Sequence, residues 1–93
     1  MTFTLLRSNA FIREARKNVK KYPQVAEKIQ KTLELLHENP FHPQLRTHKL
    51  KGELKESWAC SVEYDLRIIF KFVEYDNTEA ILLESIGTHD EVY

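Results

Sequence analysis

Two of the four histidines in the chain lie in contexts that favour proton transfer. His48 opens a short predicted strand beside two lysines, and neighbouring cations disfavour the protonated imidazole, which suits a base near neutral pH. His89 follows a Gly-Thr pair at the end of the last predicted strand, four residues before Tyr93. His37, late in a predicted helix, and His42, in a proline-flanked loop, are more typical of structural or surface positions. A structural role is the alternative for His48 and His89 as well.

Asp65 and Arg67 are the other candidates for chemistry. They stand two residues apart at the start of a predicted strand, so their side chains should emerge on one face of a sheet. A guanidinium matches the oxygens of a phosphate with two parallel hydrogen bonds. A base, an acid and a cation are what RNA needs in order to be cut by its own 2′-hydroxyl group. The alternative for Asp65 and Arg67 is an ion pair at a strand end.

Other kinds of site find little support in the sequence. No H-x-x-x-H or C-x-x-C pair favours a metal, although His48, His89 and Asp65 are a conceivable ligand set. Cys60 and Ser61 lie mid-strand without the glycine-rich elbow of a nucleophile, and a lone cysteine cannot form an internal disulfide. The two glycines stand 35 residues apart, so no glycine-rich loop could cradle a phosphate. We therefore predict neither a metal nor a cofactor.

The sequence gives no sign of a membrane segment. No apolar run approaches the roughly 20 residues that a membrane helix needs. The first residues lack the basic lead and long apolar region of a signal peptide. Together with the lone cysteine, these features predict a cytoplasmic protein.

Opposite charges are concentrated in the two halves of the chain. Residues 1–55 carry 12 Lys or Arg and 5 Asp or Glu, a net charge of +7. Residues 56–93 carry 2 Lys or Arg and 9 Asp or Glu, a net charge of −7. A basic half of this kind is typical of a surface that binds a polyanion. The alternative is a pair of solvated, lysine-rich helix faces.

Apolar spacing predicts two helices in the first half of the chain. Ser8 or Asn9 can cap the first helix, because a side-chain oxygen there accepts from a free amide. In each helix apolar residues recur every three or four positions. These stripes consist of Phe11, Ala15, Val19 and Tyr22, and then of Val25, Ile29, Leu33 and Leu36. Pro23 suits the start of the second helix, and so short a break predicts a helical hairpin packed by its two stripes.

Alternation and turn residues predict strands in the rest of the chain. The predicted strands are Phe3–Leu6, His48–Lys51, Trp58–Tyr64, Leu66–Val73 and Ala80–Ile86. In the third predicted strand, alternate side chains should share one face of the sheet, and these are Trp58, Cys60, Val62 and Tyr64. Trp58 is expected in the core, with stacking on a nucleic-acid base as the alternative. We predict an α+β fold in a single domain over residues 1–93, with an N-terminal helical hairpin packed on a mostly antiparallel four- to five-stranded sheet.

Three segments carry the most distinctive motifs. They are His48-Lys-Leu-Lys-Gly52, Tyr64-Asp-Leu-Arg-Ile-Ile-Phe70 and Ile86-Gly-Thr-His-Asp-Glu-Val-Tyr93. Together with the Trp58 strand between them, they resemble the RelE/ParE superfamily of toxins from bacterial type II toxin–antitoxin modules. The likeness is greatest to the YafQ-type branch of that superfamily, and it covers nearly the whole chain, including the helical hairpin.

The resemblance implies a small RelE-like toxin that enters the ribosomal A site and cuts mRNA there. By position, the functional groups of the branch correspond to His48, Asp65, His89 and Tyr93, and a strand arginine of the wider RelE group corresponds to Arg67. We expect His89 to be the acid or base nearest the scissile bond, with His48 as its partner. Asp65 should orient an imidazolium, and Arg67 should bind the phosphate. Tyr93 should stack on a base or share in proton transfer.

The resemblance and the basic half of the chain also imply partners. One is a cognate antitoxin, whose tail would wrap the toxin in a hetero-oligomer. The others are mRNA and ribosomal RNA, whose phosphates would be contacted by basic side chains. The expected contacts are Lys49, Lys51, Lys55, Arg13, Lys17 and Lys20.

Two serines depart from the pattern of the branch. The YafQ-type protein has a histidine where Ser61 stands and an arginine where Ser85 stands. Because of these departures, one alternative is a toxin with weakened catalysis that acts mainly as an antitoxin-binding corepressor. A ParE-like gyrase inhibitor is a further alternative, although it would not need the pair His48 and His89.

Overall fold

The chain alternates one strand, two helices, four strands and a last short helix. A computed structural model describes residues 2–93, so Met1 of the predicted domain lies outside the described residues. The elements are β1 Thr4–Arg7, α1 Asn9–Lys21, α2 Val25–Glu38, β2 His48–Lys49, β3 Trp58–Glu63, β4 Leu66–Tyr75, β5 Thr78–Gly87 and α3 His89–Val92. Short 3-10 turns at Pro43–Leu45 and Gly52–Leu54 flank β2.

The strands form one five-stranded sheet in the order β1-β5-β4-β3-β2. β1 runs parallel to β5, and the other neighbours are antiparallel. Asp76 and Asn77, with φ of 55° and 64°, make the tight turn between β4 and β5. The predicted α+β class and the mostly antiparallel sheet are confirmed.

The first helix is fixed to the sheet at its N-terminus. The Ser8 hydroxyl accepts from the Phe11 amide at 3.0 Å and donates to the Glu84 carbonyl of β5 at 2.9 Å. Two residues further along β5, the Ile86 amide donates to Glu14 Oε1 at 3.1 Å. These contacts hold α1 along β5, which is the strand that leads into the C-terminal tail.

The apolar stripes of the helices meet the sheet more than each other. α1 packs mainly on β5 and α2 on β3, and the two helices also contact each other, so the predicted helical hairpin packed on the sheet is confirmed. The sheet buries far more apolar area than a second helix could, since β4 and β5 are apolar along this face. The shared core includes Phe11, Leu33 and Leu36 of the helices and Cys60, Ile68, Phe70, Ile81, Leu83 and Ile86 of the strands.

β3 ends one residue earlier than predicted. The register between β3 and β4 shifts between Ser61 and Glu63, and Tyr64 and Asp65 then form the turn to β4. Tyr64 is 95% exposed, so its predicted place on the face of Trp58, Cys60 and Val62 is wrong. The physical reason is that the two-residue turn needs Tyr64 outside the pleat. This turn faces the candidate site.

Candidate active site

The face of the sheet opposite the long helices carries a row of three residues from neighbouring strands. Arg67 of β4 pairs with Ser61 of β3 on one side and with Gly87 of β5 on the other. Paired residues in an antiparallel sheet project to the same face. A cavity of about 540 Å³ opens at this row, and its lining includes Ser61, Asp65, Arg67 and His89.

The Arg67 guanidinium is held by one of its terminal nitrogens. Nη1 lies 3.1 Å from Ser61 Oγ, 3.0 Å from the Glu63 carbonyl oxygen and 2.9 Å from the Tyr64 carbonyl oxygen. Within residues 2–93, Nε and Nη2 have no hydrogen-bond partner. The β3–β4 turn therefore fixes the cation while two of its nitrogens can still bind an anion.

Asp65 lies beside Arg67 in the cavity, although it belongs to the turn rather than to β4. Across the described part of the chain, the two side chains do not form an ion pair. Asp65 Oδ1 instead accepts from the backbone amide of His89 at 3.5 Å, a long contact. Asp65 thus lies below the start of α3 and can position His89 through its backbone.

The tail that follows Gly87 is a short helix, α3, for which the sequence predicted no element. Thr88 Oγ1 accepts from the Glu91 amide at 3.3 Å, and Glu91 Oε1 accepts from the Thr88 amide at 2.8 Å. This reciprocal pair is a capping box, and its sequence signal is Thr88-x-x-Glu91. The hydrogen bond from the Thr88 amide lowers the pKa of Glu91. Because the two side chains satisfy each other, α3 has a defined orientation.

The last predicted strand ended at Ile86, whereas Gly87 is the final residue of β5. It does not adopt a positive φ. A Cβ atom there would lie 2.9 Å from Glu91 Oε1 and 3.2 Å from Val92 Cγ1. The glycine is needed because α3 folds directly over this position, on the same face as Arg67.

The rings of His89 and Tyr93 contact each other in a tilted arrangement at α3. Their ring centroids are 4.4 Å apart at an interplanar angle of 59°. His89 is exposed, and its Nδ1 lies 3.8 Å from Asp90 Oδ1. Burial raises the pKa of Tyr93, against an opposing effect of the Arg67 charge. The Tyr93 phenol is therefore neutral near pH 7, which suits stacking or proton donation better than a basic role.

His48 lies outside this cavity. It is exposed on β2, pairs with Ala59 of β3, and its Nδ1 lies 3.1 Å from the Arg46 carbonyl oxygen. The pairing puts His48 on the same face of the sheet as Arg67. β2 and β4 are two strand spacings apart, about 10 Å. A substrate that reaches both histidines must therefore cross β3.

All six basic residues predicted to bind RNA are exposed. Lys17 of α1 is close enough to Glu91 to help lower the pKa of that carboxyl group, so the basic face of α1 borders α3. Lys49 lies over the Trp58 ring, with Nζ 5.7 Å from its centroid. Trp58 is half-buried and packs edge-on against Phe41 and Phe72. None of the six basic residues lines the cavity, whose own cations are Arg46 and Arg67.

Sequence reasoning did not predict six of the residues that line the cavity, which are Gln44, Arg46, Ser61, Val62, Glu63 and Tyr64. Gln44 lies in the 3-10 turn before β2 and Arg46 directly follows it, where no periodic pattern reveals them. Ser61 was considered only as an unsupported nucleophile and as a departure from the family pattern, yet it anchors Arg67. Among residues 2–93, no group of three or more His, Cys, Asp or Glu side chains is arranged to hold a metal ion. No helix in that part of the chain is long and apolar enough to cross a membrane.

Solved structures of bacterial toxins share this fold. YafQ from E. coli strain BL21(DE3) has a TM-score of 0.79 at 22% identity, over 98% of each chain. A chain of the E. coli DinJ-YafQ toxin-antitoxin complex has a TM-score of 0.77 at 21% identity, over 100% of this chain and 99% of that chain. The YoeB/ParE toxin from Agrobacterium tumefaciens has a TM-score of 0.78 at 14% identity, over 94% and 99%. The fold is therefore that of toxins from bacterial toxin–antitoxin modules.

The sequence identifies the family within this class. Residues 3–93 match the model of the bacterial toxin of type II toxin–antitoxin system, YafQ. The chain belongs to this YafQ toxin family, which confirms the resemblance seen in its motifs. No curated protein sequence gives a significant match.

Proposed function

We propose that the protein is a ribosome-dependent endoribonuclease that cuts mRNA in the ribosomal A site. The observation that carries this proposal is the fixed Arg67 guanidinium, which shares one open cavity with His89 and Asp65. Family membership supports the same activity, and the exposed basic residues of α1, of β2 and of the segment after β2 suit ribosomal RNA. Such a protein acts in the cytoplasm, where the ribosomes are.

The reaction needs only groups that the RNA and this chain supply. The 2′-oxygen attacks the adjacent phosphorus and loses its proton to a base, while the 5′-oxygen leaves and takes a proton from an acid. The products are a 2′,3′-cyclic phosphate and a 5′-hydroxyl group. The transition state concentrates negative charge on the phosphate oxygens. Nε and Nη2 of Arg67 are free to bind those oxygens.

The two histidines take the proton-transfer roles in this proposal. His89 lines the cavity and lies nearest to the phosphate that Arg67 would bind. His48 serves as its partner at the other end of the substrate, which would lie across β3. Asp65 positions His89 through the start of α3. Tyr93 packs against the imidazole at a tilted angle and presents a neutral phenol to the RNA base or to a transferred proton.

The partner of such a toxin is a cognate antitoxin. The E. coli YafQ is found in a complex with DinJ, and we propose that this chain forms a corresponding toxin–antitoxin hetero-oligomer. The basic residues of α1, including Arg13, Lys17 and Lys20, suit an acidic antitoxin segment as well as RNA.

Cleavage of ribosome-bound mRNA, read by primer extension, tests the proposal. Arg67→Ala should slow cleavage by about 10²- to 10³-fold, because it removes the charge that stabilises the transition state. His89→Ala should cost about 10²- to 10⁴-fold, as for loss of an acid or base. The matched controls are Arg7→Ala and His37→Ala, which remove the same side-chain types outside the cavity.

Circular dichroism and a thermal melt should show that all four variants fold. If Arg67→Ala and His89→Ala cleave as fast as wild type, the site is wrong. If the wild type cuts no mRNA but binds its antitoxin and operator, the protein is a corepressor. Inhibition of gyrase supercoiling by the purified wild type would favour the ParE-like alternative.

A further inference from the structure

A second cavity adjoins the first on the side of α2. Its volume is about 520 Å³, and its lining includes Lys28, Lys31 and Thr32. Gln44, Arg46, Ser61 and Val62 line both cavities. The two cavities are therefore one continuous groove that runs from Arg67, past the turn before β2, to α2.

Positive charge is in excess along this groove, whose lining contains four Lys or Arg and two acidic residues, Glu63 and Asp65. Across residues 2–93, Arg46 and Lys31 have no acidic group within ion-pair distance. The acidic Glu63 at the wall of the first cavity is neutralised by Lys28, with Nζ and Oε2 3.1 Å apart. A single strand of RNA that enters the groove at Arg67 would therefore pass further cations along the groove.

The backbone of Arg46 is unusual for its residue type. It adopts the left-handed conformation, with φ of 51° and ψ of 40°. Glycine and asparagine adopt this conformation more easily than arginine. Hydrogen bonds hold it in place, since the Arg46 amide donates to Pro43 O at 3.3 Å and its carbonyl lies 3.1 Å from His48 Nδ1. Strain of this kind occurs most often at functional sites, where the side chain is needed.

We propose that Arg46 binds a phosphate next to the scissile one, and that the RNA leaves the active site along this groove toward Lys31. The inference rests on the proposed endoribonuclease function and adds a substrate-binding residue to it. Arg67 holds the reacting phosphate from β4, and Arg46 holds its neighbour from the opposite wall. A guanidinium suits this task because it binds phosphate oxygens bidentately. The Arg46 carbonyl also fixes the His48 ring, so RNA held by Arg46 lies beside that imidazole.

Binding of an uncleavable RNA tests this role apart from catalysis. The probe is a fluorescent single-stranded RNA with 2′-O-methyl groups on every ribose, followed by anisotropy at several salt concentrations. Arg46→Gly removes the cation and relieves the backbone. It should weaken binding about tenfold, as expected for one charge-assisted contact. It should also reduce the salt slope by about 0.7, the value for one phosphate contact in single strands.

Two further variants separate charge from folding. Arg46→Lys keeps the cation and should recover most of the affinity and of the salt slope. Arg7→Ala removes an exposed arginine that lines neither cavity, and it should bind like wild type. A thermal melt should show Arg46→Gly at least as stable as wild type, because glycine tolerates the positive φ.

Unchanged RNA binding by Arg46→Gly would overturn this role for Arg46, and so would a wild type that binds no RNA. Cleavage on programmed ribosomes keeps the two proposals distinct. If the wild type cleaves in an Arg67-dependent way but Arg46→Gly binds RNA normally, only the inference about Arg46 fails. If binding depends on Arg46 but no cleavage occurs, only the endoribonuclease proposal fails.

Discussion

Replacement of Gly87 by alanine should displace α3 and slow catalysis while the sheet stays folded. The new Cβ would lie 2.9 Å from Glu91 Oε1, 3.0 Å from Glu91 Cβ and 3.2 Å from Val92 Cγ1, whereas ordinary contacts begin at 3.4 Å. The Glu91 carboxylate can rotate away only by leaving the Thr88 amide, which breaks the capping box. The other two atoms can move only with the backbone of α3.

The geometry sets the size of the expected effect. Relief of the closest contact requires a shift of about 0.5 Å in α3, and His89 and Tyr93 move with it. A misplacement of catalytic groups by about 1 Å can slow a reaction about 10²-fold, so a displacement of about 0.5 Å should slow cleavage about tenfold. The stability cost should be about 1 kcal/mol, the usual cost of a lost N-cap.

The two glycines of the chain form a matched pair for this test. Gly52 has a φ of 71°, and a Cβ atom added there would have no other atom within 4 Å, so Gly52→Ala suffers backbone strain without a clash. It should lose about 1 kcal/mol of stability and keep its cleavage rate per folded molecule. In Gly87→Ala the cleavage rate, read by primer extension, should change more than the free energy of unfolding, read by urea unfolding.

Wild-type cleavage by Gly87→Ala would refute the argument that α3 must hold its position over the sheet. If Gly87→Ala lost several kcal/mol of stability, α3 would belong to the core, which would also contradict the argument. A slowed rate in Gly52→Ala would show that any backbone strain in the chain reduces activity.

Two other predictions concern the tail and the buried thiol. Deletion of Val92 and Tyr93 should slow cleavage at least about tenfold, since His89 loses the aromatic ring that packs against it, at a stability cost of no more than about 1 kcal/mol; complete unfolding in a thermal melt would place the tail in the core. Burial raises the pKa of Cys60 from 9.0 to about 12. As the pH rises, the Cys60 thiol therefore ionises in the unfolded chain before it ionises in the folded protein. The stability that the neutral thiol contributes is complete below pH 9. It falls as the pH rises from 9 toward 12, by up to about 1.4 kcal/mol per pH unit. Urea unfolding at several pH values should show a shallower decline in Cys60→Ala, and equal declines would contradict the assignment.

The strands and long helices could be predicted because each repeats a pattern over several residues. Ser8 as the cap of α1 and the alternation of β4 depend only on local chemistry, and both predictions agree with the structure. α3 was not predicted because a four-residue helix is too short for periodicity, and only the Thr88 and Glu91 pair signals it. The end of β3 depends on a register shift that no local pattern shows.

The candidate site was predictable in its residue types but not in its contacts. Two-residue spacing indicated that Asp65 and Arg67 lie close together, and both line one cavity. The partner of Asp65 depends on where the tail folds back, so its contact with the His89 backbone could not be read from the sequence. Arg46 reaches the cavity from a loop whose course is set by tertiary contacts. Whether the five predicted residues catalyse RNA cleavage stays a prediction until the variants are measured.

The position of β5 has a consequence for the synthesis of this toxin. β5 lies between β1 and β4, so the first strand finds its partner only after residues 78–87 have emerged from the ribosome. Such pairing between distant parts of a chain comes late in folding. α3, which carries His89, follows β5 and rests on it. The nascent chain therefore cannot assemble the cavity until its C-terminal residues, including His89, have left the ribosome.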